Sequence, residues 1–332
     1  MSLSSMNCEN LVWAGDMPGE VAWTNHVHNL HTFEYKGFRH LAYSHSKLDA
    51  DGLNTGENTI LNSQYEVVAH FKKPDSVEEL DPHEFTVIDN GTKIIQLGYI
   101  RHPSDWPLVP NGIVREGVVQ VVDFATRKVE FEWRALDHVP LCETCLVIPN
   151  LDYFHINSAV RDSRGDLFII AFHTCTIYKI SGATGAIVWR LGGWKSDFKM
   201  LDGYELRHMH HLQIQDLNEV KLPTALRGRV TNKTHLALSI LDNAFNPIFR
   251  RPLSANSSSA MVILLDLVAM TGQVIERYTQ PDGMFGTIFG SFQFLPKGER
   301  FISWGGQRSF SQFTQNNELI CRTLLTNQEN RI

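Results

Sequence analysis

Along most of this chain, short runs of alternating apolar and polar residues end at tight turns and reverse, the pattern of antiparallel hairpins. Gly117 to Asp123 leads through Ala125-Thr126-Arg127 into Val129 to Trp133. Cys175 to Ile180 leads through Ala183-Thr184-Gly185 into Ile187-Val188-Trp189, and Met261 to Asp266 leads through Met270-Thr271-Gly272 into Val274 to Tyr278. Weaker copies run from Thr59 to Phe71 and from Phe310 to Leu324. A second hairpin precedes each of these. His83 to Ile88 turns at Asp89-Asn90-Gly91 into Lys93 to Leu97, and His155 to Val160 turns at Asp162 to Gly165 into Leu167 to Ile170. Ser291 to Phe294 turns at Pro296-Lys297-Gly298 into Phe301 to Trp304. His210 to Ile214 opens the remaining copy, whose return strand at Leu236 to Ile240 is delayed by a polar insertion at about 216–234. A degenerate first copy spans Leu30 to Tyr43. No stretch holds a helical period.

A unit of two hairpins, repeated five times, predicts an all-β fold of four-stranded antiparallel blades stacked around an axis: a β-propeller in a single domain, 1–332. The blades fall at about 30–71, 83–134, 155–190, 210–278 and 290–325. Two packed sandwiches would use as many strands, but the register of the repeat favours blades. Five is the expected number, and a sixth would need strands from the region of Leu11-Val12-Trp13 and from the C-terminus.

Composition narrows the partners. The chain is 332 residues long, 43% hydrophobic and 20% charged, which fits a folded globular domain rather than a disordered one. A formal charge of −6 provides no basic field for nucleic acid. No apolar run is long enough to span a membrane as a helix, and Met1 to Asn10 lacks a signal pattern. The chain as it stands is therefore expected in the cytoplasm, or outside the cell if a leader has been removed. Five cysteines are too few for a disulfide scaffold. Cys142 and Cys145 form one CxxC, which without a second ligand pair reads as a loop rather than a metal or redox site. Three N-x-S/T triplets, at Asn90, Asn232 and Asn256, matter only in a secreted chain.

The repeat gives the fifteen histidines meaning. His83, His155 and His210 each begin the first strand of their repeat. In a propeller that strand lines the axis, so three residues distant in sequence are expected at one mouth. Asn157, two residues beyond His155, shares its face. Clustered imidazoles can bind a metal, act as nucleophiles or move protons near neutral pH. No carboxylate partners for a metal site are evident, and neither metal nor cofactor is expected. A bland alternative is a ring of histidines that only hydrogen-bonds across the channel. Tyr153, Phe172, His173, His211 and Trp304 lie near the same strand ends, and with Asn157 they are expected to line a pocket for a flat phenolic or aromatic small molecule.

Asp152-Tyr153-Phe154-His155-Ile156-Asn157-Ser158, with His173 to Ile180 and Ile187 to Gly193 after it, resembles fungal arylsulfotransferase-like proteins. Asp81 to Phe85, Phe131 to Val139, Leu241-Asp242-Asn243 and Phe310 to Thr314 extend the resemblance, in order, over nearly the whole chain. It implies a β-propeller whose axial histidines move a sulfuryl group between phenols without a nucleotide donor. His210 matches the nucleophile. His83, His155 and Asn157 match groups that hold the sulfate oxygens and assist proton transfer. Phe172 departs from the pattern, because the family has Arg before the residue matching His173, and Arg suits an oxyanion where Phe does not. His211 also stands where a smaller or acidic residue is usual.

The expectation drawn from these departures is an enzyme of fungal natural-product biosynthesis. Its axial histidines would give acid–base help to a cyclisation, such as quinone-methide formation and hetero-Diels–Alder cycloaddition on an aromatic or tropolone substrate. The first alternative is a true arylsulfotransferase with the Arg role supplied by Arg207 or Arg308. The second is a non-catalytic propeller that binds a metabolite or a protein.

Overall fold

The computed structural model describes residues 25–48, 54–104, 106–107, 109, 111–145, 151–244 and 255–324. Among the described residues it is all-β, with five mainly antiparallel sheets and no α-helix. The first sheet is β1 (Asn25–Tyr35), β2 (Phe38–Leu48), β3 (Asn54–Leu61) and β4 (Val67–Phe71). The second is β5 (Glu79–Ile88), β6 (Lys93–Ser104), β7 (Gly112–Asp123) and β8 (Val129–Arg134), with the short β9 (Leu151–Asp152) parallel to β7. The third is β10 (Ile156–Arg161), β11 (Leu167–Ala171), β12 (Thr176–Ile180) and β13 (Ile187–Gly192). In the fourth, β14 (Lys199–Met200) pairs in parallel with β18, followed by β17, β16 and β15; these are Thr271–Thr279, Ser259–Asp266, His235–Asp242 and Met209–Gln215. The fifth is β19 (Ser291–Phe294), β20 (Arg300–Ser303), β21 (Ser309–Phe313) and β22 (Leu319–Leu324).

This is the expected β-propeller, with four consecutive strands per blade. Blade limits differ slightly from the repeat: the first begins at Asn25, the second at Glu79, and β14 adds an outer strand to the fourth. The segment around Leu11-Val12-Trp13, where a further blade would have begun, lies outside the described residues. Hairpin turns follow the sequence signals. Between β1 and β2, Lys36 and Gly37 both take positive φ (51° and 78°), the two-residue turn whose twist matches the strands it joins.

Apolar side chains fill the gaps between successive sheets. Phe71, Phe85 and Ile94 join the first and second. Trp133, Tyr153, Phe154, Ile169 and Tyr178 join the second and third. Phe168, Trp189, Met209, Leu238 and Ile263 join the third and fourth, and Leu241, Tyr278, Phe292, Trp304 and Phe313 join the fourth and fifth. Among the described residues no such cluster joins the fifth sheet to the first. There the rings of Phe289 and His28 meet, with centroids 5.2 Å apart.

The inner strands share one irregularity, and it builds the site. Register shifts between His28 and His31, Asp81 and Phe85, Ile156 and Ser158, and His210 and Gln213 mark a bulge in the inner strand of each of the first four sheets. A bulge leaves a residue unpaired and re-aims its neighbours. Asn29, His155, His211 and Phe289 adopt positive φ of 47–58° at these places or just before β19. Gly290, at φ +108°, carries the chain past Phe289; a Cβ there would meet the Ser303 carbonyl at 2.7 Å, so only glycine fits.

Candidate active site

The bulges bring imidazoles from four sheets together. His83 lies 5.0 Å from His155, 6.1 Å from His210 and 6.3 Å from His28, between ring centroids. Phe172 packs among them, 5.6 Å from His155, 5.4 Å from His210, 5.2 Å from His173 and 4.4 Å from His208. Phe289 closes the opposite side, 6.0 Å from His83 and 6.5 Å from His210. His210 is buried (5% exposed), whereas Phe172, His173, His83 and His155 are half-buried.

The expected convergence of His83, His155 and His210 is therefore present, though their positions in the strands differ. His83 lies inside β5, His155 precedes β10, and His210 is the second residue of β15. Two other expectations need correction. Tyr153 and Trp304 are wholly buried in the inter-sheet cores. The Tyr153 hydroxyl donates to the Val139 carbonyl (3.1 Å), and Trp304 Nε1 donates to Ser311 Oγ (2.8 Å). Tyr153 lies between β9 and β10 and Trp304 just after β20, where the chain runs between neighbouring sheets and large aromatic rings fill the gap. His211 is turned towards the fifth sheet, where its Nδ1 accepts the Phe292 amide (3.3 Å). Burial lowers its pKa to about 4.

Sequence reasoning found no carboxylate partners for the histidines, but the structure holds two. His83 Nδ1 donates to Asp81 Oδ1 at 2.8 Å, and His155 Nδ1 pairs with Asp152 Oδ2. Asp152 also accepts the Tyr99 hydroxyl (3.1 Å) and the His155 amide (3.0 Å). The signal was legible: an Asp stands two or three residues before each histidine, close enough for a bulged strand to fold the carboxylate back. His28, His208, Phe289 and Tyr99 were missed because the first repeat is degenerate and the others lie outside strand starts.

His210 is held differently. Asn243 Nδ2 donates to the carbonyls of Gly286 and Phe289, the latter at 3.1 Å, so its Oδ1 is left as the acceptor for His210 Nδ1–H (2.6 Å). The tautomer is thereby fixed, with the lone pair on Nε2, which accepts the Phe289 amide at 3.2 Å. Burial, followed by the fields of His83, His155 and His208, keeps His210 well below the ordinary imidazole pKa. His155 moves the opposite way: burial alone would lower it, but the Asp152 carboxylate and then Asp81 raise it overall. His173 donates from Nδ1 to the Asp152 carbonyl, and burial together with the field of His155 lowers it to about 3. The pKa values of these imidazoles are thus driven apart, a neutral His210 against a more basic His155.

Beneath the rings a hydrogen-bonded belt crosses four sheets. The buried Glu84 carboxylate accepts Asn29 Nδ2 (2.9 Å), Thr86 Oγ1, Ser158 Oγ (3.3 Å) and the Ala159 amide (3.2 Å), and Ser158 Oγ accepts the Leu212 amide (3.0 Å). Asn157, the bulge residue of β10, is 4% exposed, and neither end of its amide finds a partner. Among the described residues no group of three or more His, Cys, Asp or Glu is arranged to hold a metal ion. Arg207 is buried, with its guanidinium on the Leu206 carbonyl (3.2 Å) and Glu205, and Arg308 is exposed.

A family model described as Arylsulfotransferase (ASST) matches residues 40–325. The chain belongs to this family. Every residue of the imidazole cluster except His28 falls within the matched span. No curated protein matches the chain. Among solved structures, this arylsulfotransferase-family chain is similar to a protein of unknown function from Bacteroides caccae, at TM-score 0.45 and 10% identity over 90% of this chain and 93% of that one. It is also similar to a catalytically inactive virginiamycin B lyase from Staphylococcus aureus with quinupristin (TM-score 0.44, 11% identity, 92% and 86% covered). A third is hydrazine synthase of Kuenenia stuttgartiensis (TM-score 0.43, 9% identity, 95% and 90% covered).

Proposed function

We propose that the chain transfers a sulfuryl group between phenolic small molecules through His210. The observation that carries this reading is the Asn243–His210 hydrogen bond, because it leaves the Nε2 lone pair of a neutral imidazole at the axial cluster, the form a nucleophile requires. In the first half-reaction Nε2 gives up the Phe289 amide and attacks sulfur, the bond from sulfur to the aryl oxygen breaks, and the departing phenolate takes a proton from His155 or His83. In the second, that same histidine, now neutral, removes the proton of an acceptor phenol. The phenol oxygen attacks sulfur, and the S–N bond returns its electrons to His210.

Phe172 removes the guanidinium that the family places beside the sulfate. The raised pKa of His155, set by Asp152, supports a cationic imidazole in that role, 5.0 Å from His83 and 5.6 Å from Phe172. The unpaired amide of Asn157 supports a polar contact to a sulfate oxygen, since a buried amide left without partners costs free energy. Phe172 and Phe289 offer ring edges and faces to an aryl group.

Phe172 also favours the second reading, cyclisation of an aromatic natural product, since it makes the place of the sulfate apolar. The two are separated by intact-mass spectrometry after incubation with an activated aryl sulfate, with release of the free phenol followed in parallel. A gain of one sulfuryl group that vanishes in His210→Gln is the expected result. No adduct and no phenol release would sink sulfuryl transfer and leave cyclisation of hydroxylated aromatics as the reading to test.

A further inference from the structure

The CxxC of Cys142 and Cys145 plays no part in the chemistry above, but its second cysteine faces a third one across the fold. Cys175 Sγ lies 4.0 Å from Cys145 Sγ, although thirty residues separate them in sequence. A backbone hydrogen bond already joins the two segments, the Cys145 amide donating to the His173 carbonyl at 2.7 Å, and within the second segment the Cys175 amide closes a turn on the Phe172 carbonyl at 3.2 Å. Cys175 takes a positive φ of 53° at the end of this turn. The turn from Phe172 to Cys175 therefore carries two axial rings at one end and a thiol at the other.

We infer that Cys145 and Cys175 are a redox-active pair whose disulfide ties the Leu141–Cys145 segment to the turn bearing Phe172 and His173. A peroxide is the oxidant class the step requires. Half-buried Cys145 is the sulfur it reaches: its thiol becomes a sulfenic acid as the peroxide is reduced, with release of one water or alcohol. Cys175 then attacks that sulfur, the S–S bond forms, and a second water leaves, so two thiols have lost two hydrogens and two electrons to the peroxide. Cys175 is buried, and the hydrogen bond to Cys145 followed by burial keeps its thiol protonated, so the oxidant meets Cys145 first and the Cys175 proton leaves with the sulfenic oxygen as water when the S–S bond forms.

The test is peptide mapping of the full chain under non-reducing conditions after treatment with hydrogen peroxide and alkylation of the remaining thiols. A cross-linked peptide joining Cys145 to Cys175, with Cys8, Cys142 and Cys321 alkylated, is expected. It should persist in Cys142→Ser and be absent in Cys145→Ser. A product confined to Cys142–Cys145, or complete alkylation of all cysteines, would overturn the pairing, and the wild-type map decides this even if a variant fails to fold. Hydrogen exchange at residues 172–175 should slow severalfold in the bridged form. Unchanged exchange there would overturn the claim that the bridge restrains the axial turn.

Discussion

At the scale of single residues, the site is a set of imidazoles whose protonation is fixed by individual partners. His155 holds its proton more tightly than an ordinary imidazole because the field of Asp152 outweighs burial. If its cationic form grips the sulfuryl oxygens, phenol release should fall as pH rises through that raised pKa, above ~6.5. The acid limb, set by the lowered pKa of His210, should lie on the acid side of it. Asp152→Asn removes the counter-charge and should move the alkaline limb down, which a pH–rate profile measures. An unmoved limb would remove His155 from the role. The same shift stabilises the fold: His155 contributes stability that is complete below its unfolded value of ~6.5 and is lost as pH rises through its folded value. Asp242 gives a slope of the same sign from a different cause. Burial raises its pKa from 3.8 to about 7, only partly offset by Tyr204 and by the Ala244 and Arg207 amides. Between those values the unfolded chain has released the proton that the folded chain still holds, so stability falls as pH rises, by at most about 4 kcal/mol. Urea unfolding of Asp242→Asn at several pH values should show this slope flattened.

At the scale of elements, the inner-strand bulges deliver the chemistry and the belt through Glu84 holds them in phase. Glu84 receives donors from the first, second and third sheets, and Ser158 extends the chain to the fourth. Glu84→Ala would leave the Ser158 hydroxyl and the Ala159 amide without this acceptor and should cost about 3 kcal/mol, since each buried unpaired group costs about 1–3 kcal/mol. Glu84→Gln retains one acceptor oxygen and should cost less, about 1 kcal/mol. Denaturant midpoints for the two variants check the order, and equal midpoints would show that the belt is not what the carboxylate supports. Trp304 and Tyr153 belong to this scale as well. Their rings fill the space between elements, so their replacement is a packing event rather than a loss of binding groups.

At the scale of the whole molecule, four inter-sheet cores join five sheets in a row, and the contact between the last sheet and the first rests on Phe289 against His28 among the described residues. The outer strands β4 and β22 expose most of their residues. The second, third and fourth sheets are packed on both faces, so their amides should exchange most slowly in native-state hydrogen exchange, with β1–β4 and β19–β22 opening at lower free energy. Uniform protection across the sheets would show that the seam is as strong as the cores.

The alternation of residues around tight turns was enough to determine strands, hairpins and the repeat, because a strand's two faces meet different surroundings and the period of two records this directly. The spacing of His83, His155 and His210 within the repeat announced that they would meet, and the Asp preceding two of them announced their partners, although that signal was not read. What only the tertiary structure decided depends on groups brought together across sheets. Asn243 reaches His210 from thirty-three residues away, Phe289 closes the site from a sheet whose sequence carries no histidine there, and Cys175 meets Cys145. Tyr153 and Trp304 lie beyond the ends of β10 and β20, in the inter-sheet cores, while the face of His211 was decided by the bulge in β15. A bulge shifts the register by one residue, and one residue is the difference between a side chain aimed at the axis and one packed against the neighbouring blade.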